Sequence, residues 1–345
     1  MKPVFGIVGC GYISKFHLGG LEKIGANVAR VADLDAAKAE AAAKRFGAQW
    51  STDYRDVIRD PAVTVVSVLG PTVLHKPVCL AAIAAGKDVI CEKTMTMNGK
   101  EAFQIATAAK KGKGLFFTAY MKRQFPAVKK AKELLPSLGI LYSAYARSYQ
   151  CWGHGMFENK VVPSGILKTH GGVATKCCGS HILDLVMHFF GRPKRVYANV
   201  DYCTKTKVDR KSMAMFEYPP ASLVVCFETV CHPLTHIGYE RNSWDERVEI
   251  NGIHGRLDLY TTTWDKPYNA ALLVHYDNNT RTSTEYRFDA TNPFDLEMRY
   301  FCDCLAKRKQ ASPSAADGFA VDNLIAAMEE SDRKKKSIVI DWKGL

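Results

Sequence analysis

Residues 3–14, "PVFGIVGCGYIS", decide the fold. A short apolar run leads into Gly9 and Gly11, and a helical pattern follows at once. These glycines fit the first two of a dinucleotide-binding fingerprint, with Ser14 in the place of the third. Glycine is needed there because a side chain would hold the backbone away from a pyrophosphate, and the following helix offers free N–H groups to the anion. A bland tight turn satisfies the same letters, so the surrounding sequence has to decide.

The next segment, "ANVARVAD" (26–33), reads as a strand ending in Asp33, 22 residues after Gly11. A carboxylate at that point accepts hydrogen bonds from an adenosine ribose. A 2′-phosphate would meet repulsion there, and the residues that follow are Leu34 and Asp35 rather than arginine. The pattern therefore favours NAD over NADP. The alternative role for Asp33 is to cap the helix over 35–46.

Outward from this point the chain alternates. An alanine-rich helix closes at Gly47, a β-branched strand covers 62–70, and a helix over 76–86 stops at Gly86. A strand over 87–93 follows. Asn98 with Glu101 resembles a capping box for the helix over 100–112, and a strand covers 114–120. Strand–helix alternation of this length predicts an α/β domain with a doubly wound parallel sheet, a Rossmann fold over residues 1–122.

Beyond a helix at 126–135 the texture changes. Alternating runs at 195–203, 222–230, 247–252, 256–260 and 285–288 have no helices between them. They predict a large, mostly antiparallel open sheet in a second α/β domain over 123–345, closed by a helix at 317–334 and a strand at 337–342.

Composition excludes several classes. The apolar fraction of 47% and charged fraction of 24% are those of a globular protein, and 345 residues suit two domains. No apolar run is long enough to cross a bilayer, and the first strand begins too early for a leader peptide, so a cytoplasmic protein with no membrane contact is expected. The eleven cysteines are scattered, several in apolar runs, as reduced core residues are. The net charge of +12 suits anionic ligands, but its one dense run, Arg333–Lys336, lacks interleaved aromatics, so no nucleic-acid partner is expected.

One helix, at about 173–190, lies between the two textures and contains "TKCCGSHILDL" (175–185). Cys177 and His181 share one helical face, and Asp184 follows three residues later. Read as zinc ligands they would need Cys178, His170 or His188, but adjacent cysteines diverge on a helix and no CxxC is present, so no metal is assigned. A satisfied buried histidine and a catalytic histidine both remain open on these residues alone.

Longer motifs carry a resemblance. Pro71, His75, Gly86, Lys87, Val89, Glu92 and Lys93 stand at characteristic spacings, followed by "GG" at 171–172, "GSHILDL", "RVEINGIHGRLDLY" (247–260), "NPFDLEMRYF" (292–301) and "AMEES" (327–331). Together they resemble the Gfo/Idh/MocA family, relatives of glucose-fructose oxidoreductase and inositol dehydrogenase, over nearly the whole chain. The resemblance implies NAD(P)-dependent hydride transfer to or from a secondary alcohol on a sugar, glycoside or cyclitol. It implies that Lys93 is the lysine of an active-site motif in which Thr94 replaces the usual proline. His181 becomes the active-site histidine, with Asp184 beside it. Cys177 stands where an acidic residue is usual.

On this resemblance His181 is the general base, an imidazole being suited to neutral pH, and Lys93 stabilises the developing alkoxide. Asp184 orients its surroundings, and Cys177 contacts substrate. Tyr12, Ile13, Leu69, Pro71, His75, Glu92 and Arg123 join Gly9, Gly11, Asp33 and Lys93 as cofactor-side positions. Lys168, His170, Lys176, Trp152 and Tyr239 are candidate substrate contacts. A homodimer or homotetramer built on the open sheet is implied as well. Two other functions fit the same motifs: a redox-neutral enzyme that processes glycosides by transient oxidation, and an NAD-binding regulator that has lost catalysis.

Overall fold

The computed structural model describes residues 2–158, 165–263, 271–310 and 312–345. Its contacts divide the chain into two compact units, Met1–Met121 with Phe294–Asn323 and Gly344–Leu345, and Lys122–Pro293 with Leu324–Lys343.

The first unit alternates strand and helix: β1 (Val4–Val8), α1 (Ser14–Lys23), β2 (Asn27–Ala32), α2 (Ala36–Lys44), β3 (Gln49–Ser51), α3 (Tyr54–Arg59), β4 (Val65–Val68), α4 (Thr72–Ala84), β5 (Asp88–Glu92), α5 (Gly99–Lys111) and β6 (Phe116–Ala119). The strands are all parallel, in the order β3-β2-β1-β4-β5-β6. The order reverses between β1 and β4, the switch point at which such sheets bind ligands. β1 is buried on both faces because helices cover both, and Phe5 and Ile7 pack with Val31, Val65, Ile90 and Phe117.

Sequence reading placed the start of α4 at Lys76. The helix instead begins at Thr72 and carries Pro77 inside it. β3 and α3 were not anticipated: Gln49–Ser51 is a three-residue edge strand and Tyr54–Arg59 a six-residue helix, both too short for a periodic signal. The expected boundary after 122 treats the chain as two consecutive pieces, whereas the helix over Pro293–Ala306 clusters with the first unit. Its Met298, Phe301 and Leu305 lie in the same core as Phe5 and Ile7.

The second unit contains α6 (Pro126–Leu134), β7 (Leu141–Cys151), α7 (Ile166–His170), a π-helical turn (Ala174–Gly179), α8 (Ser180–Phe190), β8 (Arg195–Tyr202), β9 (Asp209–Glu217), β10 (Val224–His232), β11 (Asp245–Gly252), β12 (Gly255–Thr261), β13 (Leu272–Asp277) and β14 (Thr282–Arg287). After α9 (Pro293–Ala306), the helix α10 (Ala315–Lys334) and β15 (Ile338–Val339) complete the order. Among the described residues, nine strands form one sheet, β14-β13-β12-β11-β7-β10-β9-β8-β15, in which only β7 and β10 pair in parallel.

Strict alternation gives this sheet two different faces. Along β8 the even residues Val196, Ala198 and Val200 are buried while Arg195, Tyr197 and Asn199 are exposed. Helix α8 supplies the covering layer on the buried side through an apolar face of Ile182, Leu183, Leu185 and Val186. The expected strand at 337–342 shortens to Ile338–Val339. Strands β7, β9 and β13 escaped sequence reading. Serines, charges and small residues interrupt the apolar pattern of "LYSAYARSYQC" and "DRKSMAMFE".

Candidate active site

The loop after β1 is shaped for close backbone approach. Gly9 has φ of +96°, and a β-carbon on it would lie 2.4 Å from the Gly70 nitrogen. Only glycine fits. Gly11 is the opposite case: a β-carbon there meets nothing within 4 Å. The space beside Gly11 is an open cradle next to the start of α1, where no side chain caps the helix. Tyr12 is 62% exposed, with the Lys15 ammonium 3.7 Å above its ring. Ile13 occupies the N-cap position.

Asp33 stands at the end of β2 beside this loop. Its Oδ2 accepts from the Cys10 backbone N–H at 2.6 Å and its Oδ1 from the Asp35 N–H at 2.9 Å. Each oxygen keeps a lone pair for a further donor. The cap of α2 is Asp35, which accepts from the N–H groups of Ala37 and Lys38. Burial, with Asp33 adjacent, pushes the Cys10 thiol up to about 12, so it stays neutral. Open cradle, helix start without a side-chain cap, and carboxylate together fit the pyrophosphate and ribose of a dinucleotide.

Lys93 follows β5 directly. Parallel pairing of β1, β4 and β5 brings Gly9 and Lys93 to the same carboxyl edge of the sheet. The turn that carries Lys93 is clamped from several sides. The Lys93 N–H donates to Glu92 Oε2 at 2.9 Å, and Glu92 Oε1 is 2.7 Å from His17 Nε2. His75 Nδ1 lies 3.0 Å from the Thr94 carbonyl and its Nε2 lies 2.9 Å from the Gly70 carbonyl. Thr96 gives both its N–H and its hydroxyl to Asp322 Oδ2.

Burial pushes the Glu92 carboxyl up, but His17, Lys93 and the Lys93 N–H outweigh it, and its pKa stands below the usual range. Burial lowers the pKa of His75, against the pull of its two carbonyl partners. Leu69 is 2% exposed and its side chain belongs to the core. Pro71 is exposed at the N-cap of α4.

In the second unit, His181 is the second residue of α8 and is 5% exposed. The preceding turn is π-helical rather than α-helical: Cys178 donates to the Val173 carbonyl at 3.0 Å, five residues back. Carbonyls displaced by the wider turn find hydroxyls on the sheet. The Thr229 Oγ1 donates to the Ala174 carbonyl at 2.9 Å. Cys177 belongs to this turn, so the simple i, i+4 relation to His181 is altered. The Cys177 thiol donates to the Gly172 carbonyl at 3.1 Å.

Asp209 holds the start of this turn, its two oxygens accepting from Val173 N–H at 2.6 Å and Thr175 N–H at 2.7 Å. A β-carbon on Gly172 would lie 2.9 Å from Asp209 Oδ1, which explains the second glycine of the "GG" pair. Asp184 is fully buried and takes a two-pronged bond from Arg123, Nε to Oδ2 at 2.8 Å and Nη2 to Oδ1 at 2.6 Å. Beside it in sequence, Lys122 forms a buried ion pair with Glu246, which also accepts from Ser148 and Thr261.

Trp152 packs in a small core with Met156 and Cys178, and Lys176 is 7% exposed. Lys168 and His170 lie on α7, and the Tyr239 hydroxyl accepts from Arg287. The eleven cysteines are free thiols, and among the described residues no three His, Cys, Asp or Glu side chains gather as a metal would require. No described helix is long and apolar enough to cross a membrane.

Sequence reading missed His17, Asp209 and the Lys122–Glu246 pair. His17 was the accessible one: a histidine on the buried face of α1 invites a search for its partner. Asp209 and Glu246 have no local signal, since their roles arise only when distant strands pair.

The two units thus define a dinucleotide-binding Rossmann unit followed by a large-sheet α/β unit, the arrangement of an NAD(P)-dependent oxidoreductase. Residues 4–120 match a model described as "Oxidoreductase family, NAD-binding Rossmann fold", and residues 128–258 match the GFO/IDH/MocA C-terminal domain. The chain belongs to the Gfo/Idh/MocA family. It is 26% identical over 336 residues to inositol 2-dehydrogenase 3 of Saccharopolyspora erythraea, covering 94% of this chain and 92% of that protein. A scyllo-inositol 2-dehydrogenase (NADP(+)) of Bacillus subtilis is 29% identical over 313 residues, covering 84% and 82%. The fold matches levoglucosan dehydrogenase in complex with NADH at a TM-score of 0.86 and 21% identity, over 99% of this chain and 100% of that one.

Proposed function

We propose that this protein oxidises a secondary alcohol of a cyclitol, sugar or glycoside with NAD, or runs the reverse reduction. The observation that carries the reading is Lys93, fixed on a clamped turn at the same sheet edge as the Gly9–Gly11 cradle. Relatives named for inositol and levoglucosan support the substrate class. Asp33, followed by Leu34 and Asp35, supports NAD over NADP, because a 2′-phosphate beside two carboxylates meets repulsion.

Bound here, NAD would supply the hydride acceptor. The start of α1 and the Gly11 backbone would hold its pyrophosphate, and Asp33 would take the ribose hydroxyls. The Lys93 ammonium donates to the reacting oxygen and stabilises the charge that grows as the C–H bond breaks. The His181 imidazole takes the hydroxyl proton. Asp184, held by Arg123, orients α8 rather than moving a proton. Cys177 offers a thiol already committed to the Gly172 carbonyl, so it contributes shape more than polarity to the substrate's surroundings.

The open sheet face supports a homodimer. A hollow of about 600 Å³ on it is lined by Tyr145, Tyr197, Met213, Met215 and charges of both signs, including Arg247 and Glu249. A surface that mixes exposed aromatics, methionines and paired charges complements a second copy of itself.

The test is NADH formation by the purified chain with NAD and a panel of scyllo-inositol, D-chiro-inositol, levoglucosan and simple glycosides. NADH with at least one member, lost in Lys93→Met, supports the reading. Turnover of a glycoside without NADH would replace it with the redox-neutral reaction. Binding of NAD with no chemistry on any member would leave the regulatory role.

A further inference from the structure

We infer that His17 is a positioning residue for Lys93, acting through Glu92. This rests on the reading of Lys93 as the group that meets the substrate oxygen. His17 is fully buried on α1 and lies far from Lys93 in sequence. Its Nε2 is 2.7 Å from Glu92 Oε1, while Glu92 Oε2 receives the Lys93 N–H at 2.9 Å. One carboxylate thus bridges the histidine and the lysine backbone. The ring is fixed from its side by Phe294, edge to face at 5.4 Å.

The donor and acceptor roles follow from the partners. Glu92 carries a lowered pKa despite its burial and is ionised, hence acceptor only. His17 must therefore present an N–H at Nε2. Its Nδ1 is buried without a hydrogen-bond partner. With that donor in place the carboxylate cannot swing, and its second oxygen stays on the Lys93 N–H. Without it, Glu92 is a buried charge short of one partner and turns to find another. Lys93 then loses the bond that sets the direction of its backbone.

The bond has no place in the hydride step and touches no candidate substrate group. Its consequence is orientation, and the readout must separate that from general loss of structure. His17→Leu removes the donor. His17→Asn is polar but too short to reach, and serves if the leucine variant does not fold. His17→Gln places an amide N–H close to where Nε2 stands. The measurements are amide hydrogen exchange at Lys93 in the cofactor-free chain, the unfolding temperature, and kcat and KM with NAD.

The expected result for the Leu and Asn variants is faster exchange at the Lys93 amide and a kcat lower by about 10- to 100-fold with little change in KM, the scale of a small misplacement. His17→Gln restores both within a few fold. Unchanged Lys93 exchange in the Leu and Asn variants overturns the inference, whatever the activity does. Full activity with faster exchange overturns it too, provided Lys93→Met is inactive. If Lys93→Met is as active as the unaltered chain, the reading of the active site fails instead, and the exchange data still report whether His17 holds the turn.

Discussion

Arg123 and Asp184 form a two-pronged ion pair with both partners buried, the guanidinium Nε and Nη2 each on one carboxylate oxygen. The pair ties the segment that enters the second unit to the middle of α8, three residues beyond His181. The aspartate beside the candidate base is thus engaged with a guanidinium. Asp184→Asn leaves the buried guanidinium without its counter-charge and should cost about 3–5 kcal/mol. Arg123→Lys loses the fork and should also destabilise, though less. Urea unfolding of the two variants checks both expectations, and near wild-type stability of Asp184→Asn contradicts the assignment.

The two fingerprint glycines should separate cleanly. Gly9→Ala puts a β-carbon against the Gly70 backbone at positive φ, with the backbone conformation alone costing about 1–2 kcal/mol, so the cofactor-free chain is destabilised. Gly11→Ala meets nothing in the protein, so its unfolding midpoint should match the unaltered chain. Its NAD affinity should fall nonetheless, because the methyl group fills the pyrophosphate's path. Calorimetric unfolding and NAD titration of the two variants test this contrast.

Asp33 should set cofactor choice. Hydrogen bonds to a charged group contribute about 1.5–3 kcal/mol, so Asp33→Ala should lower the NAD-to-NADP affinity ratio by at least about tenfold. An unchanged ratio would assign the selectivity elsewhere. The NADP(+)-named relative makes this comparison informative.

His75 should leave a signature in acid. Its pKa is lowered by burial, so in mild acid the unfolded chain binds its proton before the folded chain does. The stability from neutral His75 is therefore complete above the unfolded value of about 6.5 and is lost as pH falls from there toward the folded pKa. Unaltered protein should exceed His75→Gln in urea midpoint at neutral pH, and the gap should narrow in mild acid. A gap that widens on acidification contradicts the assignment.

On the open sheet, Met213 and Met215 are 46% and 49% exposed. Met213→Glu with Met215→Glu should convert a dimer to a monomer by light scattering without unfolding the chain. A monomeric unaltered protein would remove the dimer reading.

Much of the candidate site is legible because its signals are local. Gly9, Gly11 and Asp33 are read from one strand–turn–helix and the end of the next strand, and Asn98 caps α5 as its spacing indicates. What escaped depends on pairing between distant segments. Nothing local in "DRKSMAMFE" says that Asp209 will hold the turn before His181. Nor does Lys122 announce a partner in β11. The π-helical turn was hidden for the same reason: its Ala174 carbonyl is satisfied by the Thr229 hydroxyl of β10, which becomes available only once the sheet is built.

The measurement that bears most directly on the central claim is a single turnover of enzyme in excess over substrate, with NAD saturating and NADH absorbance as the signal. Unaltered protein, His181→Asn and Lys93→Met are compared on the panel member that reacts. The account predicts a burst of NADH from the unaltered chain, a rate lower by at least about 100-fold in each variant, and NAD affinity preserved in His181→Asn. A burst of unchanged rate in either variant would contradict the role given to that residue.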